Sequence, residues 1–149
     1  MPRMKHTKRE VEMLARLMKS EALGEGNFGM MLVGNVVVNR AVANCIPFKH
    51  LTSIKKVIMQ TPGGFEGYNN KMYNGPINAK IKDMAQKTVD FWRAEPANHA
   101  LYFMNPGYRT DPCRERFWGD LIGRYKRHCF YRAIIPLNVV YKKLNYRQL

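Results

Sequence analysis

Acidic residues are scarce in this chain: 11 Asp plus Glu stand against 25 Lys plus Arg, a formal net charge of +14 over 149 residues. Such a field favours an anionic partner, whether nucleic acid, anionic lipid or an acidic cell-wall polymer. The cations form no run of five or six, which argues against a detachable basic arm. Cysteine is sparse too. Cys45, Cys113 and Cys129 are odd in number, widely spaced and without a CxxC pair, so neither a disulfide scaffold nor a zinc ribbon is expected. Cys113, Cys129 and His128 offer a metal set on paper; partly buried reduced thiols, with no metal and no cofactor, are the expectation. Long apolar runs are missing as well. No stretch approaches a membrane span, and no apolar h-region follows the basic MPRMKHTKRE start, so no secretory signal is read and synthesis in a reducing cytosol is expected. Repeats, linkers and low-complexity segments are absent, as are GxSxG, HExxH and Walker signatures. The glycine-rich residues 63–68 lack the strand–GxGxxG–helix setting of a phosphate cradle, and His6, His50, His99 and His128 are scattered.

What is present suffices for one compact domain. Hydrophobic residues make up 46% and aromatics 11%, enough to bury a core. Residues 7–22 predict an amphipathic helix: Thr7 with Glu10 three positions on forms a capping-box pattern, and Val11, Leu14, Ala15, Leu17 and Met18 form its apolar stripe. Gly24 and Gly26 break it. A second helix, capped by Asn27, is expected to reach about Val42; its β-branched middle would also suit a buried strand, but its length favours a central helix. Residues 53–60 read as a third helix capped by Thr52, and residues 61–64 as a turn. Residues 78–93 read as a fourth helix, ended by Pro96. Leu101 to Met104 predict a short strand stopped by Asn105, Pro106 and Gly107, with Cys129 to Tyr131 as its partner. Residues 133–149 hold a strand-like centre with no assigned place. The sum is α+β, with helices dominant.

Glu21 is the candidate for chemistry. It follows Leu14 by seven positions, Leu17 by four and Met18 by three, so it continues the apolar stripe to where the helix stops. Desolvation there would raise the pKa of its carboxyl, the condition for donating a proton near neutrality. The competing reading is a helix-end Glu that reaches into water. Gly24 and Gly26 would let a polymer approach the backbone. Glu25 and Glu66 are candidates for orienting a sugar or a water. A chain poor in acids suits a one-carboxylate reaction at least as well as the two-carboxylate glycosidase mechanisms. Tyr68, Tyr73, Tyr102, Phe103, Tyr108 and Trp118 lie in or beside loops and strand ends, where they could stack on sugar rings or simply pack in the core.

Five blocks, in order across roughly residues 11 to 131, resemble one family. They are Leu14 to Leu17 with Ser20 to Gly26; Val33 to Arg40; Pro62 to Glu66; Ala100 to Pro106; and His128 to Tyr131. The chain is similar to the SleB/CwlJ-type cell-wall hydrolases, the spore cortex-lytic enzymes, and most similar to the CwlJ branch through Ala43 to Cys45, Phe65-Glu66 and His128 to Tyr131. The resemblance implies a lysozyme-like single domain with a small β-sheet or hairpin over residues 1–132, residues 133–149 being an extension with no counterpart. It implies that Glu21 stands at the catalytic glutamate and that Phe65, Glu66, Tyr102 and Asn105 line a glycan groove. It further implies cleavage of peptidoglycan glycan strands, cortex above all, during germination, by lytic transglycosylation or muramidase action, with a spore-coat recruiting protein and a place at the coat–cortex boundary. Met104 departs from the aromatic expected between Phe103 and Asn105, and a phage infecting such a host could also encode a basic chain of this kind. Two other classes compete: a catalytically silent basic spore-coat scaffold, and an anion- or nucleic-acid-binding module, which would leave the Ser20 to Gly26 block without a purpose.

Overall fold

The computed structural model describes residues 2–43, 48–61, 64–108 and 110–133. The strand-like centre expected within residues 133–149, and Cys45, lie outside them. Among the described residues, four α-helices and a three-stranded antiparallel sheet follow in chain order: α1 (Lys8–Ala22), a 3-10 turn (Leu23–Glu25), α2 (Gly26–Val42), α3 (Ile54–Ile58), α4 (Ala79–Asp90), β1 (Tyr102–Met104), β2 (Gly119–Tyr125) and β3 (His128–Ala133). No helix among the described residues is long and apolar enough to cross a membrane.

The capping box forms as its residues dictate. Thr7 Oγ1 accepts from the Glu10 N–H at 3.1 Å, and Glu10 Oε1 accepts from the Thr7 N–H at 3.0 Å. Glu10 Oε2 also accepts from the Lys55 N–H at 3.0 Å, so one buried carboxylate serves the first turns of both α1 and α3. The apolar stripe of α1 packs on α2, whose residues from Gly29 to Arg40 are all buried. The strand alternative for this segment is thereby settled in favour of a helix at the centre of the domain. At Gly34 a Cβ would lie 2.9 Å from Thr88 Oγ1 of α4 and 3.1 Å from Met18 Sδ of α1, so the three helices meet where only hydrogen fits.

Three helix boundaries differ from expectation. Asn27 does not cap α2; the helix starts at Gly26, with φ +80, directly out of the 3-10 turn and without a side-chain cap. Ser53, not Thr52, caps α3, its hydroxyl accepting from the Lys56 N–H at 3.1 Å. Asn78 caps α4 as its position suggests, but the helix stops at Asp90, well before Pro96. Buried Asn35 of α2 explains that early stop. Its amide donates to the Trp92 carbonyl at 2.7 Å and accepts from the Ala94 N–H at 3.2 Å, drawing the chain off the helical path. One turn on, Asn39 donates to the carbonyls of Ala97 and Ala100, both at 2.9 Å. Asn35 and Asn39, buried on α2, thus hold the connection to the sheet.

β1 pairs with β3 in the anticipated manner, Tyr102 opposite Tyr131 and Met104 opposite Cys129. β2 is unanticipated. It holds two glycines and little alternation, and it pairs on the other side of β3, through a turn at Lys126 and Arg127 and with a bulge between Leu121 and Gly123. The thiol expectation is corrected: Cys113 and Cys129 form a disulfide, with Cα atoms 5.8 Å apart. The loop after β1 doubles back over β3, a tertiary event that a spacing of 16 residues does not announce.

Candidate active site

A groove of about 680 Å³ runs between two banks, within the size usual for ligand sites. On one side lie the C-terminal turn of α1, with Ser20 and Glu21, and the segment Gly64 to Gly67 with Asn70. On the other lie Tyr102, Phe103, Met104 and Asn105 of β1 and its exit, with Phe117 and Trp118. Arg40 of α2, Phe48, Gln60 and His128 complete the lining.

Glu21 is half-buried and projects into this groove from the last turn of α1. Its Oε1 accepts from the Gly67 N–H at 2.6 Å, while Oε2 has no hydrogen bond among the described residues. The carboxyl is therefore held by one oxygen and presents the other. Its pKa is raised: desolvation is the largest cause, opposed by the Gly67 hydrogen bond, assisted by the charge of Glu66 and opposed again by Arg40. Ser20 Oγ lies 2.9 Å from both the Gly67 carbonyl and Asn70 Oδ1, and its single proton can serve either. Any side chain at position 67 would displace the Ser20 hydroxyl and the Glu21 carboxyl. A Cβ would stand 2.5 Å from Ser20 Oγ and 2.8 Å from Glu21 Oε1.

Arg40 is a buried cation under the same groove. Its Nε donates to the Leu101 carbonyl at 2.6 Å and its guanidinium lies 4.5 Å from the Phe65 ring centre and 5.3 Å from those of Phe48 and Tyr102. Burial pushes its pKa down to about 10, so it stays charged at neutral pH and faces Glu21 electrostatically. Phe65 stacks on Phe103 at 5.8 Å, and His128 meets Phe103 edge-on at 5.0 Å. Burial also lowers the His128 pKa, keeping the ring neutral.

The structure brings together Glu21, Phe65, Glu66, Tyr102 and Asn105 from the sequence-derived candidates. Glu25 and Tyr73 lie outside the groove, as do Tyr68 and Tyr108. Glu25 is 5% exposed and faces away from the groove: its Oε1 accepts from the Arg127 N–H at 3.1 Å, and its carbonyl from Lys126 Nζ at 3.2 Å. The 3-10 turn swings it toward the β2–β3 hairpin, four residues from Glu21 yet in another environment. Tyr73 is buried beside α1, edge-on to Tyr68 at 5.1 Å, and its carbonyl accepts from Arg16 at 3.0 Å. Arg40, Gln60, Asn70 and His128 were not among those candidates. Arg40 sits inside an apolar helix, where a charge between Asn39 and Ala41 was the signal available. No group of three or more His, Cys, Asp or Glu among the described residues is placed to hold a metal ion.

Residues 24–131 match the family model described as Cell Wall Hydrolase, a span that begins just after Glu21. The chain is 40% identical over 129 residues to the cell wall hydrolase CwlJ of Oceanobacillus iheyensis, covering 85% of this chain and 89% of that one. It is 39% identical over 126 residues to CwlJ of Halalkalibacterium halodurans, covering 84% and 86%. Its fold is similar to the catalytic domain of the germination-specific lytic transglycosylase SleB from Bacillus anthracis, at TM-score 0.65 and 22% identity, covering 85% of this chain and 97% of that one. A predominantly helical, lysozyme-like domain with a small sheet, matched along most of its length by such relatives, belongs to the SleB/CwlJ family of cell wall hydrolases.

Proposed function

We propose that Glu21 is the proton donor that cleaves the glycan strands of peptidoglycan, the cortex of bacterial spores being the substrate during germination. The observation that carries this reading is the half-buried Glu21 carboxyl in the groove, one oxygen bound by Gly67 and its pKa raised. In the first step the protonated carboxyl donates to the glycosidic oxygen, and the C–O bond to the anomeric carbon breaks as positive charge develops on the sugar. The resulting carboxylate is stabilised by the Gly67 N–H and the nearby Arg40 charge. In the second step it accepts the proton of the muramic acid 6-hydroxyl as that oxygen bonds to the anomeric carbon, giving a 1,6-anhydro end. Glu21 then holds its proton again.

Transglycosylation is favoured over hydrolysis by the one-carboxylate geometry and by the description of the B. anthracis neighbour. Glu66 is exposed on the same bank and supports the second reading, in which it orients an attacking water. Phe65, Tyr102 and Asn105 contact the strand in either case. The basic surface holds the enzyme on the anionic wall, and a spore-coat protein recruits it to the coat–cortex boundary. The test is mass spectrometry of muropeptides released from cortex by the native chain and by Glu21→Gln. Anhydro-muramic ends from the native chain alone support the proposal; reducing ends move it to hydrolysis; release unchanged in the variant sinks the Glu21 assignment.

A further inference from the structure

Trp118 is the least economical residue of the fold. It is 69% exposed, so its indole adds little to the core. Its φ of +62 lies in the left-handed region that a bulky side chain rarely adopts. Such a conformation persists where surrounding contacts over-determine it, and they do here. The Phe117 N–H donates to the Gly119 carbonyl at 3.0 Å, and the Leu121 N–H to the Glu115 carbonyl at 3.0 Å. Tyr131 Oη donates to the Arg114 carbonyl at 2.8 Å, and Cys113 is bonded to Cys129 of β3. Gly119 lets the loop lie flat on β3, since a Cβ there would stand 1.8 Å from the Arg132 carbonyl oxygen. A firmly built loop thus presents a large aromatic ring to solvent.

That ring is not isolated. Trp118 and Tyr102 lie nearly parallel, 20° apart with centroids at 6.5 Å, and both line the groove that contains Glu21. We propose that the Trp118–Tyr102 shelf is a sugar-stacking subsite that takes the apolar face of an N-acetylated amino-sugar ring of the glycan strand. The inference rests on the glycan reading of the same groove and adds to it a place where the strand is gripped. A pyranose ring exposes C–H groups on one face, and their slight positive polarity suits the electron-rich face of indole. The contact needs no charge on the ligand, which separates it from attraction by the basic surface.

The chain has two tryptophans, and the other one, Trp92, packs edge-on to Phe28 at 5.5 Å outside the groove. In a Trp92→Phe, Glu21→Gln protein the emission therefore reports Trp118 alone while turnover is blocked. Titration with a soluble tetrasaccharide of alternating N-acetylglucosamine and N-acetylmuramic acid is expected to give a saturable blue shift that survives high salt. An unchanged spectrum, or a change abolished by salt, overturns the proposal. In the otherwise native chain, Trp118→Ala is expected to raise KM for the same glycan about tenfold with kcat within about twofold, and Trp118→Tyr to recover most of the loss. A fall in kcat at constant KM overturns it as well. Continued cleavage by the double variant would remove the Glu21 assignment while leaving the fluorescence result to stand alone.

Discussion

At the scale of single residues, the site depends on a carboxyl group whose neutral form is favoured by scarce water. Because the Glu21 pKa is raised mainly by desolvation, cleavage should fall as pH rises through that elevated value, and the alkaline limb of kcat should report it. Arg40 opposes the shift, so Arg40→Gln should move the limb to higher pH; an unmoved limb would show that the two charges do not communicate. The same shift has a consequence for stability. A carboxyl whose folded pKa exceeds its unfolded one binds its proton more tightly when folded, so its contribution is present at low pH and is lost as pH rises through the folded pKa. Glu21→Gln, whose amide oxygen can keep the Gly67 hydrogen bond, should therefore melt above the native chain at neutral pH and lose that advantage in acid.

Glu21 was legible in the sequence because the period of α1 carries its side chain inward. Glu25 lies outside the groove because a 3-10 turn changes the period after Ala22, and neither glycine beside it states which way the chain then turns. Arg40 and His128 were hidden for another reason. Their significance comes from residues distant in sequence that surround them, Phe65, Phe103 and Leu101, and no local pattern encodes that.

At the scale of elements, the segment carrying Gly67 and the helix carrying Glu21 meet with no spare room. Gly67→Ala puts a methyl group 2.8 Å from Glu21 Oε1, and displacement of a catalytic group by about 1 Å can cost about a hundredfold. Steady-state kinetics should show that order of loss in kcat, with a melting temperature reduced far less. Asn39→Ala should act the other way round. It strips the Ala100 carbonyl of its donor and leaves the Ala97 carbonyl only the Ala100 N–H; a group left unpaired costs about 1–3 kcal/mol, which chemical denaturation would register. Helices α1 and α4 and the β1–β3 pair were readable from period and caps. β2 was not, because its stability comes from β3 beside it and not from its own weak alternation.

At the scale of the whole molecule, the +14 charge should act over the wall surface through many weak contacts. Lysis of decoated spores, followed by turbidity, should slow as salt rises; salt-independent lysis would leave the charge without that role. The disulfide acts on the sheet. Closing a loop of 16 residues restricts the unfolded chain by about 3 kcal/mol in the loop-entropy account. Cys113→Ser should accordingly unfold at lower denaturant, and mass spectrometry after alkylation should find Cys113 and Cys129 unmodified in the unreduced native protein.

The buried Glu25 carboxylate carries a last implication. Its Oε1 accepts from the Arg127 N–H in the hairpin turn that precedes His128, so the 3-10 turn after α1 and the start of β3 share one anchor. That anchor should act as a pivot behind the cleft and govern its aperture. Widening it for a bulkier polymer would call for altering that pivot at Glu25, Lys126 and Arg127, leaving the residues that meet the strand untouched.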